Sequence, residues 1–350
     1  MNLFLFLVSL ALSMFLTPIV RLLMRRFKIV DEPKVADRKI HRNKIALGGG
    51  VAVFISFFIV IFLWSQLGGM AGRDITLKNL CGLFVGGLIL MVGGILDDKY
   101  RLRPRQQVWF PVLAAFVVIA FGIGPEVITN PLGGVFRLDL WRVPIDGLGN
   151  FVVLADLLVF CWLMGMMYTT KLLDGLDGLV SGVVAIGAIM IGFLCLRTEW
   201  HQPEVALVSF VFAGACVGFL FWNWHPAKIF LGEGGSLFLG FMLGSLAIIS
   251  GGKIATALLV MGVPVLDVAR VILTRVRRGR PLYVGDNEHL HFRLLKSGLS
   301  HKQVVLLLYS ISFLFGISAL FLQTSQKLIA LLFLFVLMML VGVWFSQHRV

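Results

Sequence analysis

The chain has 350 residues, 59% of them hydrophobic and only 14% charged, with a formal net charge of +13 and a mean hydropathy of +0.94. That balance excludes a soluble globular protein, which needs far more polar surface. It does not call for a nucleic-acid partner, because the basic residues gather in alternate loops between apolar runs.

Apolar runs of roughly 18 residues or more mark membrane-spanning helices, and about eleven are predicted. They lie near 2–23, 46–66, 79–96, 107–123, 150–168, 179–196, 205–222, 236–250, 254–274, 304–322 and 328–346. The first run precedes its positive charges ("RLLMRRFK"), the reverse of a secretory signal. It therefore reads as a spanning helix with the N-terminus outside. The loops 24–45, 97–106, 169–178, 223–235 and 275–303, with the C-terminal tail, hold about 22 of the 31 basic residues. The positive-inside bias places these loops and the C-terminus in the cytoplasm. The expected fold is thus an all-α polytopic membrane protein, one membrane-embedded domain over 1–350. The longest outward stretch, about 124–149, includes "GGVFRLDLWRVPIDGLG", whose alternation and Gly/Pro punctuation predict a short outer-surface hairpin. Cys81, Cys161, Cys195 and Cys216 sit inside apolar runs with no metal-type spacing and read as packing residues.

The chemistry-bearing residues fall in the inward loops. In chain order these carry His41, Lys44 and Gly48–Gly50; then Asp97 and Asp98 in "GGILDDKYRLRPRQQ"; then Asp174 and Asp177 in "KLLDGLDGL"; then Phe230, Glu233 and Ser236 in "NWHPAKIFLGEGGS"; and finally His289, His291 and Arg293 in "GDNEHLHFRLL". One Asp at a helix end commonly caps a backbone amide. Three carboxylate-bearing loops meeting on one side repel one another unless a cation sits between them. A hard divalent ion with oxygen ligands and a phosphate partner, Mg²⁺ or alternatively Mn²⁺, is the economical expectation. If the fifth span continues helically, Asp174 and Asp177 share one face, and Gly175 and Gly178 permit close approach of a ligand or another backbone. The glycines before Ser236 lead into a helix whose first amides could face anionic oxygens. His289 and His291, two apart, suit phosphate contact beside Arg293 better than a zinc site. Phe230 is placed either to stack on a nucleobase or to anchor at the interface.

In their order and spacing, "RKIH…GGG", "LDD", "LDGLDGL", "FLGEGGSLFLGF" and "HLHFRLL" closely resemble the polyprenyl-phosphate N-acetylhexosamine-1-phosphate transferases, which begin bacterial surface-glycan assembly. The resemblance runs from about Asp31 to Gln303. It implies transfer of a sugar-1-phosphate, GlcNAc-1-phosphate foremost, from a UDP-N-acetylhexosamine to undecaprenyl phosphate. UMP would be released, Mg²⁺ required, and the enzyme would sit in the bacterial inner membrane, with a homodimer compatible. The related phospho-MurNAc-pentapeptide translocase is the nearest alternative; a transporter or an inactive relative are the others. By position, the resemblance implies Asp97 and Asp98 near the lipid phosphate, Asp174 and Asp177 lining the nucleotide-sugar pocket, and Glu233 with Asp174 on the metal. It places Phe230 on uracil, and His289 and His291 on phosphate or sugar, with Lys44 and Arg293 offsetting charge. The chain departs from the pattern at Tyr168 and Lys171, where members often carry Asn. It also departs at Glu233, where they carry Asp, and at Phe292, where they carry His. Lys171 is expected to contact the pyrophosphate directly as a point charge.

Overall fold

The computed structural model describes residues 1–32, 44–69, 72–125, 127–130, 134–139, 141–145, 149–199, 201–251, 253–279 and 289–347. His41 lies outside them. Helices α1 (Asn2–Arg26), α2 (Gly50–Gln66), α3 (Leu77–Tyr100), the single turn α4 (Pro104–Gln107) and α5 (Trp109–Ala120) come first, with short strands β1 (Val30–Asp31) and β2 (Ile45–Ala46) between α1 and α2. Strands β3 (Val127–Thr129), β4 (Val135–Arg137), β5 (Arg142–Ile145) and β6 (Gly149–Val152) then lead into α6 (Val153–Leu173), α7 (Leu179–Leu196), α8 (Pro203–Asn223) and α9 (Gly232–Ile249). The chain continues through α10 (Ile254–Val260), α11 (Gly262–Arg277), α12 (Leu290–Lys296), α13 (His301–Phe321) and α14 (Thr324–Gln347).

Every one of the predicted apolar runs falls on a helix or a helix pair. Among the described residues seven helices are long and apolar enough to cross a membrane, and an eighth span results if α10 and α11 are counted together. The run 254–274 is not one straight helix: α10 and α11 meet at 80°. Pro264 accounts for the break, because it has no N–H to donate to the Val260 carbonyl and its ring crowds the preceding turn. The runs at 46–66, 107–123 and 328–346 form shorter apolar helices. The expected single hairpin is in fact two, β3–β4 and β5–β6, each antiparallel.

The bundle is built around α9, whose apolar window is 89% buried against 22% for α1. Glycine makes this centrality feasible. A Cβ on Gly94 of α3 would fall on the backbone of Gly234, and one on Gly50 of α2 would fall on Gly235. The first turn of α9 therefore lies backbone to backbone against both neighbours, an approach open only to residues without side chains. The same corner is tied by main-chain hydrogen bonds: Phe230 N–H donates to Ala46 O (2.9 Å), Gly49 N–H to Phe230 O (2.8 Å) and Gly50 N–H to Leu231 O (2.9 Å). At this end of the bundle α3 and α6 finish and α7, α9 and α13 begin, so their termini converge.

Candidate active site

Helix α6 ends at Leu173, and Asp174–Gly178 forms a turn, not a continued helix. Gly178 adopts φ +79°, a conformation that favours glycine, which starts α7 in a new direction. Asn223 holds this turn. Its Oδ1 accepts from Gly178 N–H (3.0 Å) and Ser181 Oγ (3.3 Å), while its Nδ2 donates to Ile229 O (3.0 Å). Tyr309 of α13 donates to the Gly178 carbonyl. The two aspartates consequently do not share a helical face. Asp177 Oδ2 turns to His225 Nδ1 (2.7 Å) and accepts from Ala227 N–H (3.1 Å).

Asp174 faces the cleft. Its carboxyl is pushed up to about 7, first by the protein packed around it and then by the charges of Glu233 and Asp177. The side chain is nevertheless open to solvent, and water in the cleft weakens the burial part of that push. A carboxyl raised in this way keeps its proton more readily than an ordinary aspartic acid, and the protonated form can both donate and accept a hydrogen bond.

Asp97 and Asp98 divide their work. Asp97 Oδ1 accepts from Leu102 N–H (2.9 Å) and Gln107 Nε2 (2.8 Å), closing the end of α3 onto α4. Asp98 points to α9, where both its oxygens accept from Glu233 N–H (3.2 and 3.3 Å). That places a carboxylate at the positive end of a helix, a favourable arrangement. Helix α9 starts at Gly232, earlier than the expected Ser236, so the first amide it presents meets a protein carboxylate. Ser236 instead donates to Glu233 O (3.0 Å).

Glu233 projects from that first turn to Lys171, whose Nζ forms an ion pair with Glu233 Oε1. Lys171 also donates to Gln107 Oε1 (3.2 Å). Its ammonium is thus directed onto protein acceptors. A divalent ion ligated by Glu233 would lie against this fixed ammonium, and Mg²⁺ needs a near-octahedral set of oxygens. An ion shared by Glu233 and Asp174 would have to displace that ammonium from Glu233 Oε1.

The histidine segment is organised from a residue that sequence reasoning missed. Asp267 of α11 bonds His289 Nδ1 (2.9 Å) and accepts from Leu290 N–H (3.0 Å) through Oδ2; its Oδ1 accepts from Arg270 (2.9 Å). A lone acid within the apolar run 254–274 was the available signal. His289 and His291 are both buried, their rings parallel with centres 5.7 Å apart. Burial, then the neighbouring His289, pushes His291 down to about 4, so it is a neutral imidazole at pH 7. It packs where any Cβ on Gly175 would strike it. Phe292 leans on the same ring, with centres 4.3 Å apart, and Arg293 is half-buried one residue on. Phe230 is half-buried beside β2. Lys44 lies at the surface, paired with Glu32 (2.6 Å).

His225 and His301 were also missed. With Asp177 they bring ligand-type atoms within 4.8 Å of one another, the one such group among the described residues. Their rings stack at 4.0 Å. Neither stands in a recognisable metal spacing, so only the folded chain reveals them.

An apolar groove runs along another face of α6. Leu154, Leu157, Cys161, Gly165 and Thr169 of α6 face Ile254 and Leu258 of α10, bounding about 600 Å³. From Leu154 to Thr169 it runs roughly 22 Å along the helix, and Lys171 points from the opposite face toward Gln107 and Glu233.

Spanning helices gathered round a carboxylate-rich cleft define a polytopic membrane protein equipped at one end for a charged ligand. Residues 80–251 match the family model described as glycosyl transferase family 4. A probable undecaprenyl-phosphate N-acetylglucosaminyl 1-phosphate transferase of Bacillus subtilis is 32% identical, over 95% of this chain and 88% of the relative. A decaprenyl-phosphate N-acetylglucosaminephosphotransferase of Mycobacterium leprae is 31% identical over 85% and 78%. A phospho-N-acetylmuramoyl-pentapeptide-transferase of Desulforamulus reducens is 29% identical over 89% and 92%. The chain belongs to glycosyl transferase family 4.

Proposed function

We propose that the chain transfers GlcNAc-1-phosphate from UDP-GlcNAc to undecaprenyl phosphate, releasing UMP. The observation that carries this reading is the meeting of Asp98, Asp174, Glu233 and Lys171 at one end of a bundle of apolar helices. The apolar groove along α6 suits a polyprenyl chain, and the charged cluster suits a pair of phosphates. The names and coverage of the relatives support the same donor and acceptor classes.

Catalysis of phosphoryl transfer rests mainly on positioning and charge stabilisation. The acceptor's prenyl chain lies along α6, bringing its phosphate to Asp174. Protonated Asp174 donates a hydrogen bond to that phosphate and orients it for in-line attack. Lys171 offsets the negative charge that moves onto the departing UMP. Asp97 acts from behind by holding Gln107, and Asp98 fixes the first turn of α9. Asp267 sets the ring of His289, and the histidine segment closes the cleft over the Asp174 turn. The charged end faces the cytoplasm, where the nucleotide sugar is found, and the membrane is the bacterial inner membrane, with the N-terminus outside and the C-terminus inside.

The test is UMP release by the purified chain in detergent, with undecaprenyl phosphate and several UDP-sugars offered separately. Release from UDP-GlcNAc is expected. Release only from UDP-MurNAc-pentapeptide would move the assignment to the peptidoglycan branch, and no release from any donor by folded protein would overturn the reading.

A further inference from the structure

The Lys171 ammonium is held from several sides. It pairs with Glu233, donates to Gln107, and lies 5.7 Å from the centre of the Tyr168 ring. Gln107 cannot turn its amide away, because its Nε2 already donates to Asp97 Oδ1 (2.8 Å) and Leu102 O (3.0 Å). Its oxygen is left facing the lysine. A chain of contacts thus runs from Asp97 through Gln107 and Lys171 to Glu233, whose own N–H returns to Asp98. Tyr168, Lys171 and Glu233 are three of the four positions that part from the resemblance noted in the sequence. The structure brings those three to one point.

We propose that Lys171 is the resident cation of this cleft, taking the place of a divalent ion beside Glu233 and meeting the donor diphosphate itself. The proposal rests on the transferase reading above. A divalent ion on Glu233 would sit at contact distance from the ammonium, where the two positive charges repel. Of the other acids, Asp174 alone faces the cleft. Asp97, Asp98 and Asp177 each have an oxygen committed to N–H donors. The Lys171 and Glu233 side chains keep 22% and 16% of their surface exposed, so a phosphate oxygen can reach the pair. In the transfer, an oxygen of the lipid phosphate bonds to the β-phosphorus of the donor. The bond from that phosphorus to the bridging oxygen breaks, and its electron pair leaves on UMP. Lys171 remains protonated throughout and changes only the electrostatic field.

The test compares the full chain with Glu233→Gln, Lys171→Asn and the double variant Lys171→Asn/Glu233→Asp in detergent. Mn²⁺ binding is followed by electron paramagnetic resonance, which does not depend on turnover. Wild type is expected to bind no more Mn²⁺ than Glu233→Gln, and the double variant to gain a bound ion. In parallel, UMP release is measured with Mg²⁺ and with excess EDTA. Wild type should be indifferent to EDTA, whereas the double variant should lose about 10²-fold or more of its rate in EDTA and recover with Mg²⁺. Mn²⁺ bound by wild type and lost in Glu233→Gln, or wild-type turnover abolished by EDTA, overturns the proposal. Should wild type release no UMP under any condition, the transferase reading falls, and the Mn²⁺ comparison still decides the part assigned to Lys171.

Discussion

Asp267 and His289, on separate elements 22 residues apart, are joined by a 2.9 Å hydrogen bond in a buried pocket. The same carboxylate oxygen accepts from Leu290 N–H, so one acid fixes both the ring and the start of α12. Asp267→Asn keeps the shape but removes the charge and one acceptor. The expected outcome is a loss of about 1–3 kcal/mol of stability, the cost of leaving a buried partner unsatisfied, with a fall in UMP release. Thermal unfolding in detergent and the turnover assay check the two parts separately.

The Asn223 bridge gives a purely structural prediction. Asn223→Ala strands Gly178 N–H, Ser181 Oγ and Ile229 O, and the residue is buried. Destabilisation of about 2–4 kcal/mol is expected from unpaired buried groups, with the Asp174 turn loosened. Faster amide exchange at residues 174–178 than in wild type would confirm the link; unchanged exchange would refute it.

Acidity near Asp174 sets a pH dependence with a definite sign. Its carboxyl stands near 7 in the folded chain against an ordinary 3.8. Between those values the folded chain keeps a proton that the unfolded chain has released. The group therefore stabilises the fold fully below about 4, and that contribution is lost as pH rises toward 7. Cleft water screens the effect and reduces its size. Asp174→Asn cannot ionise, so its melting temperature should decline less between pH 5 and pH 8 than that of wild type, and stand higher at pH 8. Parallel curves would contradict the assignment.

Backbone contact makes two glycines behave oppositely. Gly94→Ala drives a methyl group into Gly234, and overpacking of this kind costs about 1–3 kcal/mol or more. Gly165→Ala meets nothing within 4 Å and gains up to roughly 1 kcal/mol from helix propensity. Melting temperatures moving in opposite directions are the expected result.

The groove separates the two substrates. Gly165→Trp would fill the space opposite Ile254 and Leu258. KM for undecaprenyl phosphate should rise while KM for the UDP-sugar stays near the wild-type value. Equal rises in both would place the prenyl chain elsewhere.

Much of this was legible in the residue string. Apolar runs announce helices, and the positions of all those runs agree with the fold because hydrophobicity and helix length are local properties. Lys171 and Glu233 could be singled out by spacing, but their contact could not, since 62 residues separate them in the chain. The bend between α10 and α11 was hidden because a proline within an apolar run can also be accommodated in a nearly straight span. Asp174 and Asp177 look like one helical face at i, i+3; two glycines overrule that periodicity. Asn223, His225, His301 and Asp267 act through distant partners, and no local pattern announces such pairings.

The glycine contacts between Gly94 and Gly234 and between Gly50 and Gly235 have an evolutionary consequence. The cleft floor is shaped largely by main chain, and Lys171 and Glu233 carry their charges on side chains that take no part in those contacts. Residues such as Lys171 and Glu233 can therefore be exchanged as a matched pair while the scaffold stays in register. A lineage built this way can revise its chemistry without renegotiating its architecture.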